Sequence, residues 1–297
     1  MAEYQELPNS ELVDADIVIV PVAHEETVCA RGGTRNAPLA ILEVSEQLEY
    51  YEEDLMWSPM KYMNVCVCDG VDEYAKITSY MDSLVLDENK LLISLGGEHS
   101  ITPKITASVL DKNSTILFLD AHADLRESYL GSKDSHATPS HHLLAQGHKM
   151  IMVGIRSIYE SEAIRIAEDE SIEFYGDRDL QKERTKEKLL KSISLLEGDV
   201  YFSIDMDAFN PALVPGVGTP QPGGLDWYFA LDIIEQLFSN KNITIKGVDL
   251  VELIPEESNV SQVFAAKLMQ KIISHWGKSK AYDRREMIGA QTKVEYD

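Results

Sequence analysis

Apolar residues in this chain gather into short unbroken runs instead of alternating with polar ones. The runs fall at residues 15–22, 64–67, 91–95, 115–119, 150–155, 172–175, 199–204 and 244–250, most of them built from Val, Ile, Leu and Phe. A strand covered on both faces has no wet side, so such runs predict strands buried between two layers. Between them, apolar residues recur at helical spacing over 37–52, 71–87, 102–110, 139–146, 179–196, 226–239 and 260–274. Strand and helix alternate throughout, which predicts an α/β fold with a parallel sheet, right-handed crossovers and function in the loops that follow the strands. No internal repeat, low-complexity tract or linker interrupts the pattern, and one domain spanning 1–297 is expected.

Two of the runs end in residues that a buried strand does not need. The run 115–119 leads straight into Asp120-Ala-His-Ala-Asp124, and the run 199–204 into Ser203-Ile-Asp-Met-Asp207. On a strand or its frayed end, residues i, i+2 and i+4 project the same way, so Asp120, His122 and Asp124 can converge on one point while Asp205 and Asp207 approach from another strand. Ionised carboxylates there are costly unless paired or bound to a cation. His99, in Gly96-Gly-Glu-His-Ser100 just past the run 91–95, is a further candidate, although a single His after a strand can equally be a hydrogen-bonded structural residue. Four carboxylates balance two divalent cations and favour a hard or borderline ion such as Mn²⁺, and two such ions at close range can ionise one water near neutral pH. The Pro- and Gly-rich segment 210–224 directly follows the second Asp pair and reads as a shaped active-site loop.

Charge narrows the partners. A formal net charge of −23, from 27 Lys and Arg against 50 Asp and Glu, repels nucleic acid and anionic membrane surfaces and concentrates small cations, besides keeping the chain soluble. Of the three cysteines, Cys66 and Cys68 sit in the strand-like Asn64-Val-Cys-Val-Cys68, which points to buried free thiols on one face rather than a metal knuckle. The start Met1-Ala-Glu-Tyr-Gln-Glu lacks a basic region and an apolar core, and no run approaches the roughly 18 apolar residues of a membrane span, so a cytoplasmic location is expected. His24, His141, His142, His148 and His275, with Trp57, Trp227 and Trp276, are expected to serve surface or packing roles.

The chain closely resembles the ureohydrolases, the arginase and agmatinase family. The resemblance runs in order from Gly32-Gly-Thr-Arg-Asn-Ala-Pro-Leu-Ala-Ile41 through the three clusters above to Val248-Asp-Leu-Val-Glu252, nearly the whole chain. It implies a three-layer α/β sandwich around a mostly parallel sheet of about eight strands. It implies a hydrolase that cleaves a guanidino C–N bond to release urea, with two Mn²⁺ per subunit: His99 and Asp124 on one, His122 and Asp207 on the other, Asp120 and Asp205 bridging both. It also implies that His136, in Ser135-His-Ala137, shuttles protons with Asp124, that Glu252 grips the guanidinium, and that the subunits form a homotrimer or homohexamer. Plainer readings stand beside these, His136 as a loop residue and Glu252 as an acid at a helix start. The family usually writes Asp-Pro after its second Asp pair, whereas this chain has Asn210-Pro211, which puts ligand orientation or metal affinity in question but removes no ligand.

The outer residues bear on which guanidino compound is taken. Arginases carry acids in a Gly-x-Arg-Asp-x-Asp stretch that reads the amino acid's ammonium; here the stretch is Gly154-Ile-Arg-Ser-Ile-Tyr159, and both acids are missing. An ammonium brought to Ser157 and Tyr159 would lose water without compensation, so agmatine, a small cationic substrate, is the first expectation. Arg126 and Lys133 could pair with a carboxylate, or with Glu127 and Asp134, and they keep 4-guanidinobutanoate, guanidinopropanoate and arginine open. Two other classes stay open. A catalytically silent regulator would bind metal without turnover, and a two-metal phosphoesterase would need basic residues on phosphate where this chain has Glu252.

Overall fold

The computed structural model of the chain describes residues 2–287; the expected domain runs past these at both ends, and residue 1 and residues 288–297 lie outside the described residues. The strands are β1 (Ile17–Val22), β2 (Val65–Val67), β3 (Leu91–Gly96), β4 (Thr115–Leu119), β5 (Lys149–Ile155), β6 (Ile172–Gly176), β7 (Gly198–Asp205) and β8 (Ile243–Val251). Each overlaps an unbroken apolar run, and the ends agree within two residues. They form one eight-stranded sheet in the order β2-β1-β3-β8-β7-β4-β5-β6 with every pairing parallel. The helices are α1 (Ala37–Ser45), α2 (Ile77–Ser83), α3 (Thr102–Val109), α4 (Pro139–Ala145), α5 (Glu160–Glu168), α6 (Asp177–Leu180), α7 (Glu183–Ser194), α8 (Trp227–Ser239) and α9 (Val260–Ser279).

Alternate residues of the central strands face opposite layers. Ile17, Ile93, Leu117, Phe202 and Leu250 pack with α1, α7, α8 and α9, while Val18, Leu92, Phe118, Met152 and Tyr201 pack with α2, α3 and α4. Both faces are therefore dry, which is why the strands read as unbroken apolar runs. Trp57 and Trp276 are buried in the first layer, Trp227 packs edge-on against Phe264, Cys66 is buried, Cys68 is half-buried and Cys29 is exposed.

Five helices differ from the sequence expectation, α9 by running on to Ser279 past the expected end at 274. The helix expected over 37–52 ends at Ser45, because the buried Lys271 of α9 draws buried Glu52 and exposed Glu53 and Asp54 into an ion cluster and Glu52 pairs with Trp57 across a tight turn. The helix expected over 71–87 shrinks to α2, because Val71 adds a parallel bridge to Val22. The stretch 179–196 breaks at Lys182, whose backbone is extended, giving α6 and α7. The helix α5 was not expected at all: its start is held by Glu162, whose side chain accepts the Tyr159 backbone N–H at 2.8 Å, while Tyr159 is an unusual N-cap with no side-chain cap of its own, and most of the helix faces solvent.

The start of α8 is conventional. Asp226 accepts the backbone N–H of Phe229 at 2.9 Å, so Asp226→Ala is expected to cost about 1 kcal/mol in chemical denaturation, with the transition otherwise unchanged in slope.

Candidate active site

Parallel pairing brings the carboxyl ends of β3, β8, β7 and β4 to one edge, side by side. The register places Leu95, Leu250, Ile204 and Leu119 in a single row across these strands, and the next residues along β7 and past β4 are Asp205 and Asp120. His99 follows β3 in a 3-10 turn, Asp207 follows β7 in another, and Glu252 follows β8. Gly97 makes the turn before His99 possible, since a Cβ there would run into the carbonyl oxygen of His24. Asp124 and Glu252 both adopt left-handed backbone, φ 51° and 63°, which is strained for residues with side chains and is found here only because the surrounding contacts hold it.

Two overlapping groups of ligand atoms result: His99, Asp120 and Asp205, and Asp120, His122 and Asp207. His99 Nδ1 lies 3.2 Å from Asp120 Oδ2, 3.2 Å from Asp205 Oδ2 and 3.7 Å from Asp124 Oδ2. His122 Nδ1 lies 2.9 Å from Asp207 Oδ2 and 3.7 Å from Asp120 Oδ1. Asp124 thus reaches the first group through its left-handed turn rather than along a strand, and Asp120 belongs to both groups. His99 and Asp120 are fully buried behind a cleft of about 270 Å³, whose walls include His122, Asp124, His136, Asp205, Asp207 and Glu252.

The electrostatics call for positive charge. Burial, reinforced by repulsion from neighbouring carboxylates, pushes Asp124 and Asp205 well above the ordinary carboxylate range. Burial opposes charge on the two imidazoles as well, but Asp120 beside both overrides it and raises His99 to about 9 and His122 to about 12. Burial also raises Glu252 to about 8, against the hydrogen bond it accepts from the His99 backbone N–H at 2.7 Å. Asp120 Oδ2 is buried with no hydrogen-bond partner. A divalent cation satisfies such an oxygen and neutralises such a group, so the donor set fits a metal on its own chemistry.

The supporting contacts were not singled out from sequence. His99 Nε2 is 2.9 Å from the Ser203 hydroxyl, which donates to Asp249 at 2.7 Å; with its far nitrogen engaged, His99 turns Nδ1 to the carboxylates. Arg156 donates to the backbone carbonyls of Gly154, Asp207, Ala208, Phe209 and Gln221, tying the end of β7 to the 210–224 loop. Its position in the Gly-x-Arg stretch was visible, but nothing marked it as a clamp. Asn210 Oδ1 accepts the N–H of Ala212 within its own turn at 2.9 Å, a bond that Asp would make equally well, so the departure from the family pattern falls on the loop and leaves no contact with the ligand groups.

Other expectations meet mixed outcomes. Ser157 and Tyr159 line the cleft, as does Arg126, whose guanidinium lies 4.9 Å from the ring centres of both Tyr129 and Tyr159. Lys133 is exposed and lies off the cleft wall. His24 and His148 are buried, His24 beside Tyr74 and Glu98, and His141 contacts Arg165.

Residues 15–274 match the model of the arginase family. The chain belongs to that family. Its members are metal-dependent hydrolases of small guanidino compounds, and the His and Asp groups above could hold the metal. An N(1)-aminopropylagmatine ureohydrolase of Synechocystis is 33% identical over 282 residues, covering 90% of this chain and 91% of its own. An agmatinase of Pyrococcus horikoshii is 31% identical, covering 90% and 94%. Among solved structures, agmatine ureohydrolase of Thermoplasma volcanium superposes with a TM-score of 0.80 at 28% identity, covering 91% of this chain and 93% of that one. The arginase-like α/β architecture expected from sequence is thus the one observed. Among the described residues no helix is long and apolar enough to cross a membrane.

Proposed function

We propose that this chain, acting as one domain, hydrolyses the guanidino C–N bond of a guanidinoalkylamine, agmatine or its N-aminopropyl derivative, releasing urea and putrescine or spermidine. The observation that carries the reading is the convergence of both His–Asp groups and Glu252 on one cleft whose walls hold five carboxylates and one guanidinium, that of Arg126. By the family's pattern two Mn²⁺ ions would be held, one by His99 and Asp124, one by His122 and Asp207, with Asp120 and Asp205 shared, and would supply Lewis acidity and an ionised water near neutral pH; of the shared pair, Asp120 belongs to both groups of ligand atoms and Asp205 to that of His99. Glu252 pairs with the planar guanidinium through charge-assisted hydrogen bonds. His136, with Asp124 on the same cleft wall, carries the proton to the leaving amine. Burial holds the pKa of His136 below the ordinary imidazole value, which makes its protonated form the stronger donor to the leaving amine. A homotrimer or homohexamer in the cytoplasm belongs to the same proposal.

The tail of the substrate follows from charge. At the mouth an amino acid's carboxylate meets a negative field and its ammonium meets Ser157 and Tyr159 instead of acids. A carboxylate-tailed compound such as 4-guanidinobutanoate is the second reading, and Arg126 is the residue that favours it. In a urea-release comparison at equal Mn²⁺ and pH, agmatine or aminopropylagmatine is expected to exceed arginine in kcat/KM at least tenfold, about 1.4 kcal/mol. Faster hydrolysis of arginine would overturn this, and activity on guanidinobutanoate alone would transfer the assignment to the second reading.

A further inference from the structure

His136 is held by a loop that supplies none of the ligand groups. Thr27, between β1 and α1, meets it twice: the His136 backbone N–H donates to Thr27 Oγ1 at 3.1 Å, and His136 Nδ1 lies 3.0 Å from the same oxygen. Behind Thr27 is Glu98, only 3% exposed. Its carboxylate accepts four bonds, from the N–H groups of Glu26 (2.8 Å) and Thr27 (2.7 Å) on Oε2 and from the hydroxyls of Thr27 (3.1 Å) and Ser100 (2.5 Å) on Oε1.

A hydroxyl has one proton to give. Thr27 donates its proton to Glu98 and has only lone pairs left for His136. Nδ1 of His136 must then be the protonated ring nitrogen, and Nε2 the one with a free lone pair. The order carboxylate, hydroxyl, imidazole is repeated at Asp249, Ser203 and His99, where it frees Nδ1 instead. One device therefore orients two imidazoles, one on the cleft wall and one buried behind it, in opposite senses.

We propose that Thr27 and Glu98 are positioning residues that lock His136 in the Nδ1–H tautomer, so that Nε2 alone exchanges the proton of the reaction. The proposal rests on the role given to His136 above. Nε2 first takes up the proton that the attacking water gives up, passed on through Asp124; as the C–N bond then breaks, its electron pair stays on the leaving nitrogen, which takes that proton from Nε2 and leaves the ring neutral with Nδ1–H intact. Thr27 accepts from Nδ1 before and after, so transfer demands no rearrangement on that side, which is the economy expected of a preorganised site.

The test uses full-length protein with ¹⁵N-labelled histidine, loaded with diamagnetic Mg²⁺ for the ring shifts and with Mn²⁺ for kinetics, assigning His136 by its loss in His136→Asn. Ring ¹⁵N shifts of the unsubstituted protein should show His136 protonated on Nδ1 at neutral pH. Thr27→Val should move the ring towards the Nε2–H form and lower kcat about 10- to 100-fold, with KM within about twofold and metal content unchanged; Thr27→Ser should restore tautomer and kcat. An Nε2–H ring in the unsubstituted protein overturns the proposal, as does a Thr27→Val variant that keeps its kcat or loses only KM. If Thr27→Val does not fold, the unsubstituted tautomer and Thr27→Ser still decide. The tautomer is read whether or not urea is released, so a failure of the functional reading, absence of urea from every guanidinoalkylamine, is told apart from a failure of this one.

Discussion

Asp120→Asn is expected to yield a folded protein that no longer binds the proposed pair of metals and releases urea at least about 10³-fold more slowly, because the ionised water that such a pair would supply near neutral pH is lost with it. Asp120 is the residue to change because it alone belongs to both groups of ligand atoms. Its carboxylate is fully buried, with Oδ2 lacking any hydrogen-bond partner. The amide keeps the volume and the bond that Oδ1 accepts from the His122 N–H, so packing at the end of β4 is preserved while the charge is removed. Metal analysis beside circular dichroism and the urea assay checks it. A variant that retains two metals per chain and full activity would take Asp120 out of the site.

Glu252→Gln is expected to leave metal content intact and to weaken guanidinium recognition by roughly 2–5 kcal/mol, the usual consequence of removing one partner of a buried charged pair, or about 30-fold to several-thousand-fold in kcat/KM. The substitution is selective. Gln Oε1 can still accept the His99 backbone N–H that Glu252 accepts at 2.7 Å, so the left-handed turn after β8 keeps its anchor. The other oxygen becomes an NH₂ group, which turns donors towards a guanidinium that has only donors of its own. Steady-state kinetics on agmatine read the effect; unchanged kcat/KM at neutral pH would withdraw Glu252 from substrate binding.

The parts of this site legible in the sequence are those where chemistry contradicted burial. Asp120, His122 and Asp124, like Asp205 and Asp207, stood out because polar residues at the end of an apolar run ask for a reason. That β3, β8, β7 and β4 are neighbours was not legible, since right-handed crossovers between parallel strands allow many orders; only the register, with Leu119 beside Ile204 and Ile204 beside Leu250, shows why the clusters meet. Thr27 and Glu98 stayed hidden for a related reason. They touch across 71 residues, and the one local bond of the pair, from the Ser100 hydroxyl to Glu98, gives no sign of Thr27. Periodicity misled where tertiary charge won, as at 46–52, where Lys271 holds Glu52 and its neighbours, and it missed α5 because Tyr159 does not signal a helix start.

The central claim is that the two His–Asp groups together form one two-metal guanidino hydrolase site. Its most direct test is urea release from agmatine and from aminopropylagmatine as metal-stripped protein is titrated with Mn²⁺, with bound metal counted at each point. The account predicts urea release that rises with metal and levels off at two ions per chain; bound metal without urea from either compound at any loading, or saturation with full activity at one ion, would contradict it.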